Sequence, residues 1–525
     1  MRNFPFYISL QVSKHLGETT KKIFINKYLL STIICSILLF DANAQQGIRL
    51  SLPMVIDDLS LEAPAAEIQH LNFENEILQF ENYKKGLLPS VSINMSPISL
   101  NRSIVKLQQA SDGQYHYVED YSSSSSAGIS VQQKIPFTGG TLNASTNLNY
   151  LNELSQSRNS FNSTPFSISY SQQLFGGGKT FYMEKSIEYL KNEENINKYC
   201  SAISDIQQNV LNLFMNAFFS SLEKSLSSAN KSATDSLLNI AIVRQENRRI
   251  TESDFNQIEL QASNNEYLEK SAAKNHEDAV RSLVTYLGLN LSNYRNIIIE
   301  TPKMTLPVII NPEKIWYYID KNNPTLLNSE IRRLEAKKNL YTSGLQNKFN
   351  ANINMSYGMN QYAENFLDAY RSPRRQQIIS VSFSIPFSMW GINRNTARIA
   401  QNNYRSSILR IENEINEYEN EINITINNYN HNINLWHIAE RSYQLTQDQY
   451  RLIVLEFSKG RSSAYQLIAS QQEQSTAMQK YYSAVRNAYE SYYKLRGLAL
   501  YDFESESELA DIFLTPTIIS RGLSR

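Results

Sequence analysis

The sequence is poor in several things that would point to familiar classes of protein. It has two cysteines, Cys35 and Cys200, in 525 residues, too few for a disulfide framework or a cysteine metal cluster. Lys plus Arg and Asp plus Glu each number 50, so there is no basic excess of the kind a nucleic-acid surface needs. No stretch approaches the roughly 18 consecutive apolar residues of a transmembrane helix, so any crossing of a bilayer after export has to be made by strands. No His-Glu-x-x-His pair and no Gly-x-Ser-x-Gly elbow occurs. His431 and His437 flank a helical seam and read as surface or packing residues, not metal ligands. No enzyme activity, cofactor or metal is expected.

What is present is polar yet aromatic. Tyr alone fills 32 positions while 42% of residues are hydrophobic. The first 44 residues read as a secretory signal: Lys21, Lys22 and Lys27 precede an apolar run from Tyr28 to Phe40, and Ala42-Asn43-Ala44 supplies a small-x-small cleavage pattern. That run has 13 residues, too short to cross about 30 Å of hydrocarbon as a helix. Cys35 lies inside it behind the bulky Ile34, which does not suit a lipoprotein site. Processing near Gln45 would leave Cys200 as the one thiol.

The remainder is written twice. Ile93-Asn-Met-Ser96 recurs as Ile353-Asn-Met-Ser356, and Pro64 recurs as Pro324, both 260 positions apart and in the same order. Phe166-Ser-Ile-Ser-Tyr-Ser-Gln-Gln-Leu-Phe175 resembles Val381-Ser-Phe-Ser-Ile-Pro-Phe387 at an offset of 212, so the first unit carries 48 extra residues between its strands. That surplus includes the serine run Ser122–Ser126 and an alternating pair around Thr138-Gly139-Gly140. It reads either as a longer loop or as additional strands. The units span 61–300 and 321–500, with a signal at 1–44, an extension at 45–60, a linker at 301–320 and a tail at 501–525.

Alternation by twos marks strands. Val91, Ile93 and Met95 alternate with Ser92, Asn94 and Ser96; Ile379, Val381 and Phe383 alternate with Ser380, Ser382 and Ser384. One face is apolar and the other small and polar with almost no charge, which suits a barrel wall between lipid and water better than a soluble sandwich. A different period follows. Ile411, Ile415, Tyr418, Ile422, Ile426, Tyr429, Ile433 and Trp436 form a seam of steps of three and four, matched by Ile203, Ile206, Val210, Leu213 and Ala217. Neither Pro nor Gly interrupts Lys179–Gln245 or Ile392–Phe457. Helices of about 66 residues would be about 100 Å long. They must run beside others while their remaining faces meet water.

Leu88-Pro89 before the first strand, Asn323-Pro324 opening the second unit, Gln172-Gln-Leu-Phe-Gly176 and Ile385-Pro386-Phe387 before the long helices, and the turns Ile250-Thr-Glu-Ser-Asp254 and Gly460-Arg-Ser-Ser463 occur in one order, as do the unit ends Leu287-Gly288 and Arg496-Gly497. In this, the chain resembles the TolC-like outer membrane efflux protein family over nearly its whole mature length. The resemblance implies an α+β membrane protein: a homotrimer whose protomers each give four strands to one outer-membrane β-barrel, continued by a long periplasmic α-helical coiled-coil barrel with an internal two-fold repeat. It implies a passive exit duct for efflux or type I secretion in the outer membrane of a Gram-negative cell. Its partners would be a periplasmic adaptor, an inner-membrane pump or ABC exporter, and outer-membrane lipid. An exported structural or adhesive coiled-coil surface protein is the alternative.

Glu246, Arg248, Arg249, Glu252 and Asp254 fall at one helical tip, and Lys459, Gly460 and Arg461 at the other. They are the candidates for the adaptor contact and for a closing constriction. Arg248 or Arg249 stands where the family usually has a turn glycine. Gly176, Gly177, Gly178, Pro386 and Gly391 are read as strand-to-helix joints. Phe175-Gly-Gly-Gly-Lys-Thr180 is not a phosphate loop, because Gln173 occupies the position that motif needs as glycine.

Overall fold

A computed structural model describes residues 48–108, 113, 115–154, 157–289, 297–302, 310–346, 350–384, 391–459 and 461–514. The signal, Gly460 and Pro386 lie outside these described residues. After a short strand β1 (Ile48–Leu50) and a helical segment over Met54–Glu62, helix α1 (Pro64–Lys85) leads to β2 (Ser90–Gln108), β3 (Tyr115–Ile135), β4 (Gly140–Glu153) and β5 (Arg158–Gln173). Helix α2 (Gly177–Glu246) then runs for 70 residues, and α3 (Glu252–Tyr286) returns beside it. β6 (Ile297–Ile299) and α4 (Pro312–Asn322) precede α5 (Pro324–Gln346), β7 (Asn350–Ala363) and β8 (Arg374–Ser384). Helix α6 (Ile392–Ser458) has 67 residues and α7 (Ala464–Ala499) returns along it. β9 (Tyr501–Asp502), β10 (Ser507–Glu508) and α8 (Leu509–Phe513) close the described chain.

Pro64 and Pro324 each open a helix, where a missing N–H costs nothing. The long helices are held by packing, not by propensity. Every member of the seam from Ile411 to Trp436 is buried or half-buried, and Val210, Leu211, Phe214 and Met215 of α2 are fully enclosed. They pack with Leu283 and Val284 of α3 and with Val485, Tyr489, Tyr492 and Leu495 of α7 in one core. Each such side chain contributes about 1.5–3 kcal/mol by leaving water. Among the described residues no helix is long and apolar enough to cross a membrane.

Packing arranges the helices as four columns in the order α1 with α3, then α2, then α5 with α7, then α6. Within a column two helices meet end to end. A Cβ on Gly288, just past α3, would lie 2.8 Å from Cδ of Pro64 at the start of α1. At the other junction Asn323, which caps α5, donates from Nδ2 to the Leu498 carbonyl at 2.9 Å. Helix α7 runs past Arg496-Gly497 to Ala499, and Leu500 takes the left-handed cap with φ 48°. Gly497 instead lets α7 approach α2, since a Cβ there would meet Ser204 Oγ at 2.8 Å.

The main sheet corrects the expected strand number. It has six antiparallel strands in the order β2-β3-β4-β5-β7-β8, where four were expected. The surplus of the first unit is strand, not loop. Ser122–Ser126 pair with Asn149–Glu153, so small side chains lie opposite large ones and the backbone ladder is complete.

Candidate functional site

At the first tip the chain reverses through Asn247–Thr251. Arg248 adopts φ 56°, a left-handed conformation that favours glycine. The Arg249 N–H donates to the Arg244 carbonyl at 2.8 Å and thereby closes the end of α2. Thr251 caps α3: its Oγ1 accepts from the Asp254 N–H at 3.1 Å and donates to the Asp254 carboxylate at 2.7 Å. The second tip closes in the same way. The Arg461 N–H donates to the Glu456 carbonyl at 2.9 Å, and Ser463 and Gln466 form a reciprocal capping box at the start of α7.

The fold brings the two tips together. Ala241 and Ile258 from the first and Phe457, Ala464 and Leu467 from the second form a separate small core. Glu246, Arg248, Arg249, Glu252, Lys459 and Arg461 are exposed around it. None of these charges joins an ion pair among the described residues.

Sequence reasoning missed the layer beneath that core. Thr234, Asn265 and Gln471 are buried, with Asn265 Nδ2 donating to Thr234 Oγ1 at 2.7 Å and Gln261 Nε2 to Gln471 Oε1 at 3.2 Å. Gln and Asn in long helices look like solvent-facing residues, so no pattern marks them.

The joints are built by glycine for two reasons. Gly176 and Gly391 precede α2 and α6 with φ 87° and 85°, so both strand-to-helix corners use the same left-handed residue. Gly177 and Gly178 allow close approach. A Cβ on Gly178 would meet the Phe137 carbonyl oxygen at 2.7 Å, so the β3–β4 turn is packed against the joint.

A second constellation lies at the end of α7. Arg496 is buried, donating from Nε to Asp502 at 2.9 Å and from Nη1 to Gln207 at 2.6 Å. Asp502 also accepts from the Tyr492 hydroxyl at 2.8 Å and from the Glu504 N–H at 2.9 Å. Burial pushes its carboxyl up, but the guanidinium and these donors together hold it below the usual carboxylate range. The group ties the end of α7 to α2 and to the C-terminal segment.

A six-stranded antiparallel sheet continued by columns of long helices, with paired tips at the far end, defines the class: the chain has the fold of TolC-like outer-membrane channels. Among solved structures it is similar to the CmeC outer membrane channel of Campylobacter jejuni, with a TM-score of 0.61 and 12% identity over 90% of this chain and 89% of that one. VceC, an outer membrane protein of Vibrio cholerae, gives 0.60 and 10% over 86% and 95%. The open state of the MtrE outer membrane channel of Neisseria gonorrhoeae gives 0.55 and 15% over 85% and 88%. No protein-family model and no curated protein sequence matches the chain.

Proposed function

We propose that this chain is the outer-membrane exit duct of a tripartite efflux pump or type I secretion system, a passive conduit working as a homotrimer. Its helices stand in the periplasm, and its partners are an adaptor and an inner-membrane pump or ABC exporter. The observation that carries this reading is the coincidence of free edges. β2 and the α1/α3 column lie at one side of the protomer; β8 and α6 lie at the other. Copies joined head to tail by one rotation therefore satisfy the sheet and the helices together.

The helical edges are matched. Ile424, Ile438, Leu445 and Leu452 form an exposed heptad line on α6, apart from its buried seam, and Leu260 and Tyr267 line the exposed side of α3. Leu452 is six residues from the end of α6 and Leu260 eight from the start of α3, so the two lines run at similar heights above the tips. We read them as the copy-to-copy contact.

The strands suit a bilayer. Ten residues separate Gly140 from Tyr150 on β4. At about 3.4 Å per residue and a tilt of about 40° they rise about 26 Å, close to the apolar band of an outer-membrane barrel. Tyr150, Phe161, Phe366 and Tyr370 cluster at one end of that span, and Phe137 and Phe175 are exposed at the other, as aromatic girdles would be. A stalk or adhesin has no use for such a wall.

In this reading Glu246, Arg248, Arg249, Glu252, Asp254, Lys459, Gly460 and Arg461 meet the adaptor and neighbouring copies and form the constriction. Gly176, Gly177, Gly178, Pro386 and Gly391 fix the angle between wall and tube. Purified, processed protein is expected to extract only in detergent, with a trimeric mass and heat-modifiable migration, and to conduct ions in planar bilayers. Arg248→Ala and Asp254→Ala are expected to raise conductance. A water-soluble monomer would overturn the reading; unchanged conductance in both variants would remove the constriction from it.

A further inference from the structure

We propose that the membrane wall of this channel is a barrel of eighteen strands, six from each of three copies, so that it is as wide as the helical tube beneath it. This rests on the trimeric channel reading. It concerns the strands of the first unit's surplus, which could instead have formed an external flap or an internal plug.

The face pattern places those strands in the wall. Directly paired residues of an antiparallel sheet share a face. Val91, Val131, Ala144, Ile168 and Tyr357 form one such row across β2, β3, β4, β5 and β7. The adjacent row on the other face is Ser92, Ser130, Ser145, Ser167 and Gly358. Apolar and small-polar faces thus pass through β3 and β4 without inversion. A flap in water would expose its apolar face; a plug would do the same inside the lumen. Only a wall gives each face its own solvent.

Geometry supports the count. Six strands at about 4.8 Å, tilted by about 40°, occupy about 38 Å of circumference. Four helix columns at about 8–10 Å occupy about 32–40 Å. Sheet and tube in one protomer therefore subtend nearly the same arc, and one copy number closes both. Strand direction agrees as well: six alternating strands leave β2 and β8 antiparallel, so β8 of one copy continues the ladder onto β2 of the next. A barrel of this size is about 36 Å across at the backbone and leaves an aqueous channel, so the wall does not limit passage and closure lies at the tips.

Single cysteines placed in a Cys200→Ala background of the reconstituted full-length protein test this. Ser130→Cys and Ser145→Cys are expected to react with a water-soluble maleimide. Ile129→Cys and Ala144→Cys should lose that reaction and, carrying a spin label, be relaxed by oxygen dissolved in lipid. Ser167→Cys and Ile168→Cys on β5 report the channel reading independently. Alternation on β5 without alternation on β3 and β4 would overturn the eighteen-strand wall and leave the channel standing; loss of alternation on all three would sink both. A measured copy number other than three would also overturn the proposal.

Discussion

Arg496 and Asp502 form a buried ion pair at 2.9 Å, their side chains 4% and 17% exposed, where α7 passes into the C-terminal segment. An exposed pair would contribute almost nothing. Here, removing one partner strands a charge away from water. Arg496→Met is expected to cost about 3–5 kcal/mol, and Arg496→Met with Asp502→Leu to recover much of it. The pair also sets a pH dependence. The Asp502 carboxyl titrates lower in the folded chain than in the unfolded one, so its contribution is full above about pH 4 and is lost as pH falls through the folded value. Thermal melts in detergent at several pH values check both: wild type should lose stability on acidification more steeply than the double variant.

Arg248 occupies a glycine-like conformation at the first tip. A side chain held there costs about 1 kcal/mol relative to glycine. Arg248→Gly is expected to stabilise the turn by about that amount while removing one tip charge. Hydrogen exchange of the Arg249 amide, which closes α2, should slow if the backbone account holds. Faster exchange would mean that the arginine side chain stabilises the turn through contacts outside the protomer.

These cases show which features of the fold are legible in sequence. The two long helices are, because their seams repeat at a helical period and no Pro or Gly interrupts them; Ile422, Tyr429 and Ile433 are buried as the spacing requires. The six-stranded sheet was harder to read. Ser122–Ser126 has small polar residues on both faces, so alternation vanishes where β3 continues, and its strand character comes from pairing with residues up to 31 positions away. The left-handed tip was half legible: its location follows from the end of the helical pattern, but an arginine gives no conformational signal. The Arg496 cluster was invisible, since Gln207 and Asp502 are brought to it from distant parts of the chain.

Cys200 lies on α2 within the main core, 1% exposed, near the stacked rings of Phe73 and Tyr199. Burial pushes its thiol up to about 12, so almost no thiolate exists at neutral pH. The folded protein is expected to resist maleimide for as long as α1 stays packed on α2, and to react once that region opens. Labelling followed against denaturant should track loss of helical circular dichroism. Prompt labelling of the native protein would mean that α1 detaches from the core without global unfolding.

Gly139 and Gly391 separate two uses of glycine that sequence cannot tell apart. Both have positive φ, 72° and 85°. A Cβ on Gly391 would meet nothing within 4 Å among the described residues, whereas one on Gly139 would lie 2.5 Å from the Gly177 carbonyl carbon. Gly391→Ala therefore faces backbone strain alone, about 1 kcal/mol, and should assemble normally. In Gly139→Ala the β3–β4 turn must also move off the start of α2, which displaces two strands from the corner where the sheet meets the long helices. That variant is expected to fail to form the heat-modifiable oligomer, or to form it with altered conductance, at expression levels where Gly391→Ala is indistinguishable from wild type. Normal assembly and conductance of both would mean that the turn does not pack against the joint in the assembled channel.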